Sequence, residues 1–150
     1  MNTSAEIDKI VPAFVAVLSG LNNPVFDSIN PFHKNRYASL AGVRNLVVPV
    51  LASKGLAVSQ SLSTNEHGVV CKTRILHVSG QWLESDGFAV PVNKADSQGA
   101  AAASTYARRY DLQAGLGIGG EDDDDGEAAM GRPKGTAKGA TKVPLAAPSD

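Results

Sequence analysis

Three strand-like stretches separated by tight turns constrain the fold of this chain more than any other feature of its sequence. Leu56–Leu62 alternates between apolar and polar residues, Val69–Val78 alternates most clearly, and Gln81–Val90 follows. The turns between them, at Asn65–Gly68 and Ser79–Gly80, are too short for the crossover that parallel strands require. The sequence therefore predicts a three-stranded antiparallel meander.

The N-terminal segment is predicted to form a helix. Thr3 and Glu6 have capping-box spacing, and the apolar residues that follow, as far as Leu21, recur at helical spacing. Pro12 lies inside this pattern and would kink the helix or delay its start. The next stretch, Gly20–Tyr37, contains Asn-Pro twice and is predicted to be an extended loop.

Two further helices complete the predicted architecture. One is expected at about Ala38–Ser53, with a kink at Pro49 and with Gly55 just beyond its end. The other begins at Asp96, where either Asp96 or Ser97 can cap it, and stops before Gly115–Gly120. The predicted fold class is therefore α+β in the order α-β-β-β-α, with the helices covering one face of the sheet.

Charge and composition divide the chain at about residue 120. The formal net charge is −1, but residues 33–110 hold nine basic and four acidic residues, a balance that suits a nucleic-acid partner. Residues 1–120 are predicted to form one domain. Residues 121–150 begin with an acidic run, continue with Ala, Gly, Pro and Lys, and are predicted to be a disordered tail.

Cysteine content and hydropathy indicate where a chain of this kind works. Cys71 is the one cysteine, which excludes an internal disulfide and suits a reducing compartment. The sequence shows no signal-like N-terminus and no apolar run long enough to cross a membrane. A soluble cytoplasmic protein without a membrane partner is expected.

The segment Ser104–Tyr110, with the sequence STYARRY, is the strongest candidate for binding. On a helix, Thr105, Arg108 and Arg109 lie within one turn, and Arg109 is a neighbour of both Tyr106 and Tyr110. Guanidinium groups pair with phosphate oxygens, and tyrosine rings offer faces on which bases stack. The alternative is a surface helix with two solvated arginines and two half-buried tyrosines.

Two other segments carry cations. Lys72 and Arg74 share one face of the second strand, where the alternative to DNA contact is pairing with Glu84 and Asp86 of the next strand. The loop after Pro31 interleaves two cations with two aromatic rings, which suits phosphate contact and stacking, although the rings could instead anchor the loop to the core. Its members are Phe32, Lys34, Arg36 and Tyr37.

The sequence contains no pattern that is typical of a catalytic site. The histidines lack the spacing of metal ligands, and Gly115–Gly120 follows a helix rather than a strand, so it does not suit a dinucleotide. No serine, cysteine or histidine has a partner for nucleophilic chemistry. We therefore expect no catalytic residue, no metal and no cofactor. One enzymatic alternative stays open, a metal-dependent nuclease that uses Glu121–Asp125.

The ordered set of motifs resembles the ERF (Essential Recombination Function) family of phage single-strand annealing proteins. The resemblance covers roughly residues 5–127, and Ala100 stands where members often have Ser or another small residue. The matching segments are Asn30–Lys34 running into Arg36–Leu40, Val48–Leu51 with Lys54–Leu56 and Gln60, His77–Gly80, Gln98–Ala100 leading into Thr105–Leu112, and the acidic run from Glu121.

The resemblance implies a function and an assembly. Members are similar in core fold to ring-forming annealing proteins, self-assemble into rings or helical filaments, and bind single-stranded DNA along a basic groove. They pair complementary strands without ATP in phage recombination, within the bacterial cytoplasm. A host single-strand-binding protein or a phage exonuclease is a possible partner. A general single-stranded nucleic-acid-binding module without annealing activity is the alternative.

These observations combine into one hypothesis for the site. Cations grip the phosphate backbone in a single groove while tyrosines order the bases, and the acidic tail competes with DNA for the groove or recruits host factors. The predicted DNA-binding residues are Lys34, Arg36, Tyr37, Lys72, Arg74, Thr105, Tyr106, Arg108, Arg109 and Tyr110.

Overall fold

A computed structural model describes residues 1–122 and shows a mixed α+β fold with three helices and antiparallel sheets. At its centre are β4 (Leu56–Asn65) and β5 (Gly68–His77), which pair over all ten of their positions. Their two-residue turn requires Gly68, whose φ of 123° is outside the range that other residues favour. The predicted tail from residue 123 onward lies outside the described residues.

The prediction that Gln81–Val90 forms one continuous third strand is wrong. This segment forms two pieces, β6 (Trp82–Glu84) and β7 (Phe88–Val90), and both pair with β5. Between them residues 85–87 span only two positions of β5, so the strand carries one extra residue, and Ser85 bonds to Thr73 with its backbone amide and its hydroxyl, at 2.9 and 3.0 Å. An added strand, β1 (Asn2–Thr3), pairs with β6 at the edge, so that the order is β1-β6-β5-β4 with β7 beside β5.

The predicted helix start at Thr3 is also wrong, because Thr3 belongs to β1. The first helix, α1, runs over Ile10–Gly20, which places Pro12 in its first turn, where a proline is tolerated. The backbone amides at its N-terminus are hydrogen-bonded by a residue that is distant in sequence. The side-chain oxygen of Gln81 accepts hydrogen bonds from the backbone amides of Lys9 and Ile10, both at 2.9 Å.

The segment predicted as an extended loop contains a small antiparallel hairpin. Its strands are β2 (Ser28–Ile29) and β3 (Arg36–Tyr37). The hairpin leads into α2 (Leu40–Ala52), which continues through Pro49. The hydroxyl of Ser39 caps α2 by accepting a bond from the Gly42 amide at 3.0 Å.

The third helix, α3 (Ser97–Leu116), follows the prediction closely, with Asp96 as its cap and Gly117 in the left-handed conformation at its end. It crosses the inner face of β5, where the odd-numbered residues from Val69 to Ile75 are buried. The other face of β5, which carries Lys72 and Arg74, points away from the helices. The core is shared by all three helices and the sheet; its fully buried side chains include Ile10, Val17, Val43, Val47, Leu51, Cys71 and Leu112.

None of the helices within residues 1–122 is both long enough and apolar enough to span a membrane.

Candidate nucleic-acid interface

Arg109 lies at the centre of a cage of aromatic rings. Its guanidinium carbon is 4.3 Å from the ring centre of Tyr37, 5.0 Å from that of Tyr106 and 5.2 Å from that of Tyr110. The cage joins β3 to α3 because Tyr37 ends the hairpin and the other two rings lie on the helix. Arg109 is only 7% exposed, so the alternative of a solvated surface arginine is wrong for this residue.

Two carboxylates from the start of the acidic run lie against this cage. Glu121 pairs with Arg109 at 3.2 Å and also accepts a short hydrogen bond from the Tyr110 hydroxyl. Asp122 accepts a bond from the backbone amide of Arg36 at 3.0 Å and lies 3.4 Å from its guanidinium. We call the group of Arg36, Tyr37, Tyr106, Arg109 and Tyr110, with Glu121 and Asp122, the Arg36–Arg109 cluster.

Backbone contacts fix the acidic residues in this position. The Ala38 amide donates to the Gly120 carbonyl at 2.7 Å, Tyr37 and Glu121 form an antiparallel bridge, and the Asp122 amide donates to the Arg36 carbonyl at 3.1 Å. The predicted boundary at residue 120 therefore needs adjustment, because the first two tail residues extend the β2–β3 hairpin.

The hydroxyl of Tyr110 is held as a hydrogen-bond donor. Burial is the main cause that raises the pKa of Tyr110 well above its usual value, and its hydrogen bond to the Glu121 carboxylate raises that pKa further. The ring stacks on Phe88 of β7 at a centroid distance of 5.8 Å. Tyr110 thus links the cluster to the sheet, as a packed residue rather than a free stacking surface.

Arg108 lies on the other flank of α3, away from this cluster. Its guanidinium approaches the side-chain oxygen of Gln60 at 3.5 Å, and the Gln60 amide donates both to the Arg108 carbonyl and to Thr73, each at 2.9 Å. Thr105 is exposed on α3. Arg108 and Arg109, although adjacent in sequence, therefore make their contacts on different sides of α3.

Lys72 and Arg74 lie on the outer face of the sheet, and the prediction of one groove that contains all ten residues is wrong. The Arg74 guanidinium bonds to Glu84 at 2.9 Å and stacks over the Trp82 ring at 4.0 Å. The alternative that Arg74 pairs with Glu84 is thereby confirmed. The sheet itself separates these two cations from the Arg36–Arg109 cluster.

The β2–β3 hairpin presents a cation and an aromatic ring to solvent. Phe32 is 88% exposed, so this ring does not anchor the loop to the core, whereas Tyr37 does pack against Arg109. Lys34 is exposed and has a φ of 61°, which turns the chain back toward β3. Lys34 and the exposed Arg36 thus lie on the solvent side of the cluster.

Sequence reasoning predicted that the acidic tail competes with DNA and left Glu121–Asp125 open as a nuclease site, but it did not predict that Glu121 and Asp122 pair with Arg109 and Arg36. The signal was present, because an acidic run directly follows a glycine-rich turn at the end of an arginine-containing helix, but an acidic block is usually only a solvated segment. Within residues 1–122, no three His, Cys, Asp or Glu side chains stand close enough together to hold a metal ion. The nuclease alternative involves residues 123–125, which lie outside the described part.

Comparison with known proteins decides the family. The sequence model of the ERF superfamily matches residues 12–149, nearly the whole chain. This chain belongs to the ERF superfamily. No curated protein and no solved structure matches it.

ERF membership supports a broad role in phage recombination and single-strand annealing, and with it an interaction with single-stranded DNA. The family is one of annealing proteins rather than of catalysts. The similarity to ring-forming proteins stays a prediction.

Proposed function

We propose that this ERF protein binds single-stranded DNA through the Arg36–Arg109 cluster and anneals complementary strands without ATP. One observation carries the proposal, namely that two arginines on neighbouring elements already bind two successive carboxylates of the chain itself. Carboxylate and phosphate oxygens offer guanidinium groups the same acceptor geometry. A surface that holds Glu121 and Asp122 in this way can hold two phosphates.

The positions of the aromatic rings support a nucleic-acid ligand rather than a simple anion. Tyr106 is 44% exposed and adjoins Arg109, so a base can stack beside a phosphate that the arginine binds. Phe32 and Lys34 extend the same surface along the hairpin. A strand that follows this path keeps its backbone on the protein and leaves other base edges available for pairing.

The remaining predicted residues have different roles in this proposal. Arg109 binds the phosphate that displaces Glu121, Tyr110 supports this position from beneath, and Arg36 and Lys34 contact phosphates from the solvent side. Arg108 and Thr105 flank the surface. Lys72 and Arg74 lie on β5, on the outer face of the sheet. There they add a weaker, independent attraction for DNA.

Annealing requires many copies on one strand, because a single domain offers few contacts. We propose that the protein forms a ring or helical homo-oligomer in the bacterial cytoplasm. β4 ends the order of the sheet and could join subunits through its edge. A host single-strand-binding protein or a phage exonuclease would act with it.

The direct test is an annealing assay with complementary oligonucleotides that carry a donor and an acceptor fluorophore, without ATP. The wild-type protein should accelerate pairing, and Arg36→Ala should slow it. Lys54→Ala is the matched control, since it removes one exposed cation at the opposite end of α2, whose 13 residues span about 20 Å. Strand binding without acceleration would contradict annealing and would identify a general binding module.

A further inference from the structure

An open cleft of about 610 Å³ lies between β7 and the first half of α3. Val90 and Pro91 form its wall on the sheet side, Ala102 and Ala103 form its floor, and Tyr106 stands in its wall on the helix side. Ligand pockets in proteins commonly have volumes of roughly 300–1,000 Å³ and mostly apolar walls. None of the predicted DNA-binding residues except Tyr106 contributes to this cleft.

The cleft is built into the way the chain enters α3. The Asp96 carboxylate accepts the Gly99 amide at 2.7 Å, and a Cβ atom at Gly99 would lie 1.9 Å from the Lys94 carbonyl oxygen. The loop before α3 therefore passes directly against the helix. Because the next helical residues are alanines, the space beside the loop stays open.

Tyr106 presents a fixed ring to this cleft. Its ring centre is 4.5 Å from that of Tyr110, the two hydroxyls are 3.2 Å apart, and the Arg109 guanidinium lies 5.0 Å away. These contacts hold one side of the ring, while 44% of the residue remains exposed. A ring whose orientation is already fixed loses little conformational entropy when a planar ligand stacks on it.

Polar groups at the rim of the cleft suit a nucleotide. The Asn93 amide can both donate and accept hydrogen bonds, as the edge of a base requires. The Lys94 side chain is 76% exposed, and its ammonium group is only loosely paired, at 3.5 Å from Asp96. The shared Tyr106 makes the cleft continuous with the Arg36–Arg109 cluster, where phosphates would bind.

We infer that this cleft receives one unstacked nucleobase of the bound strand. The base stacks on Tyr106, Asn93 bonds to its edge, and Lys94 contacts a neighbouring phosphate. The inference rests on the proposed binding of single-stranded DNA and adds to it a base-holding position that is separate from the phosphate contacts. One base in each subunit is thereby withdrawn from pairing.

The test uses an oligothymidine in which 5-iododeoxyuridine replaces one thymidine, cross-linked by light and mapped by mass spectrometry. The iodinated base should cross-link to Tyr106, and Tyr106→Phe should retain the cross-link because the ring remains. Ala102→Leu places a larger side chain one helical turn from Tyr106, so it should block stacking on the ring, remove the adduct and weaken binding roughly tenfold, as expected for one lost stacking contact.

Ala101→Leu is the matched control, because Ala101 is also exposed, at the preceding helical position, but does not line the cleft. This variant should bind and cross-link as the wild type does. Normal DNA binding with adducts only at Phe32, Tyr37 or Trp82 would overturn the cleft and leave the proposed function intact. An absence of DNA binding by the wild-type protein would overturn both.

Discussion

Arg109 is a buried cation whose neighbours are three tyrosine rings and one carboxylate. Burial of an unpaired charge is unfavourable, so this guanidinium depends on Glu121 and on the ring faces of Tyr37, Tyr106 and Tyr110. In return it holds those rings in place. Its primary role is therefore to organise the surface on which Arg36 and Tyr106 are exposed.

Replacement of Arg109 should accordingly destabilise the protein. Arg109→Ala leaves a cavity among the rings and an unpaired Glu121, and should lower the free energy of unfolding by about 3 kcal/mol. Arg109→Lys keeps the charge but lacks the planar group that stacks, and should recover only part of this loss. Urea denaturation followed by circular dichroism measures both values. An unchanged unfolding midpoint for Arg109→Ala would show that the cage does not stabilise the fold.

Cys71 illustrates a second effect of burial at the scale of one residue. The side chain is fully buried beneath α3, and this burial, with the nearby Asp111 carboxylate, raises the pKa of its thiol to about 11. At pH 8 the thiol should remain protonated and resist alkylation by iodoacetamide, but react readily in urea. Mass spectrometry of the adduct at timed intervals tests this. Rapid alkylation of the folded protein would contradict the burial of Cys71.

At the scale of elements, the sequence predicts best what local signals specify. The β4–β5 hairpin, α2 and α3 followed from alternation, helical spacing and the Asp96 cap, all of which lie within a few residues of the element concerned. The start of α1 depends instead on Gln81, more than 70 residues away. The break between β6 and β7 likewise depends on Ser85 and its bonds to a neighbouring strand.

The same distinction explains the candidate site. Arg109 and its two tyrosines are helical neighbours, and their proximity could be predicted from spacing. Tyr37 and Glu121 come from other elements, and no local rule places them beside the helix. The separation of Lys72 and Arg74 from this cluster follows from which face of β5 the helices cover, and alternation alone does not decide that.

Asp27 connects two elements by bonding across the hairpin–helix junction. Its carboxylate accepts bonds from the backbone amide and the hydroxyl of Ser39, each at 2.7 Å, and the amide bond is the main cause that lowers the pKa of Asp27. A carboxyl whose pKa is lowered by folding stabilises the fold above its unfolded value, near 4, and loses that contribution as pH falls through the folded value.

Asp27→Asn should therefore lower the melting temperature at pH 7. The difference in melting temperature between wild type and variant should become smaller below pH 3. Thermal melts between pH 2.5 and 7 measure this effect. The control is Glu6→Gln, which neutralises an exposed carboxylate ahead of α1 and should change neither quantity. A constant difference between Asp27→Asn and wild type at every pH would contradict a charge-dependent contribution.

At the scale of the whole molecule, the N-terminal half of the chain meets Glu121 and Asp122, the first two residues of the acidic run, at the proposed DNA surface. Asp122 follows α3 in sequence but bonds to the hairpin that precedes α2. Two negative charges thus occupy the positions proposed for phosphates. DNA must displace them, which reduces the affinity of the intact protein.

Neutralisation of these charges should strengthen binding. The double variant Glu121→Gln, Asp122→Asn should raise the affinity for single-stranded DNA and make its salt dependence steeper, because the arginines then exchange salt anions rather than carboxylates for phosphates. The variant Glu6→Gln, Glu66→Gln changes the net charge equally outside the cluster and controls for long-range repulsion. Equal gains in both variants would contradict a local competition.

The most direct test of whether the Arg36–Arg109 cluster binds the phosphate backbone is the salt dependence of the affinity for single-stranded DNA. Fluorescence anisotropy would measure it for the wild-type protein, for Arg36→Ala and for the control Lys54→Ala. Loss of one phosphate contact should flatten the slope of log affinity against log salt by about 0.7 per bound subunit and weaken binding roughly fivefold at low salt. Lys54→Ala should retain the wild-type slope. An unchanged slope for Arg36→Ala, or an equal loss in Lys54→Ala, would contradict this assignment of the DNA-binding surface.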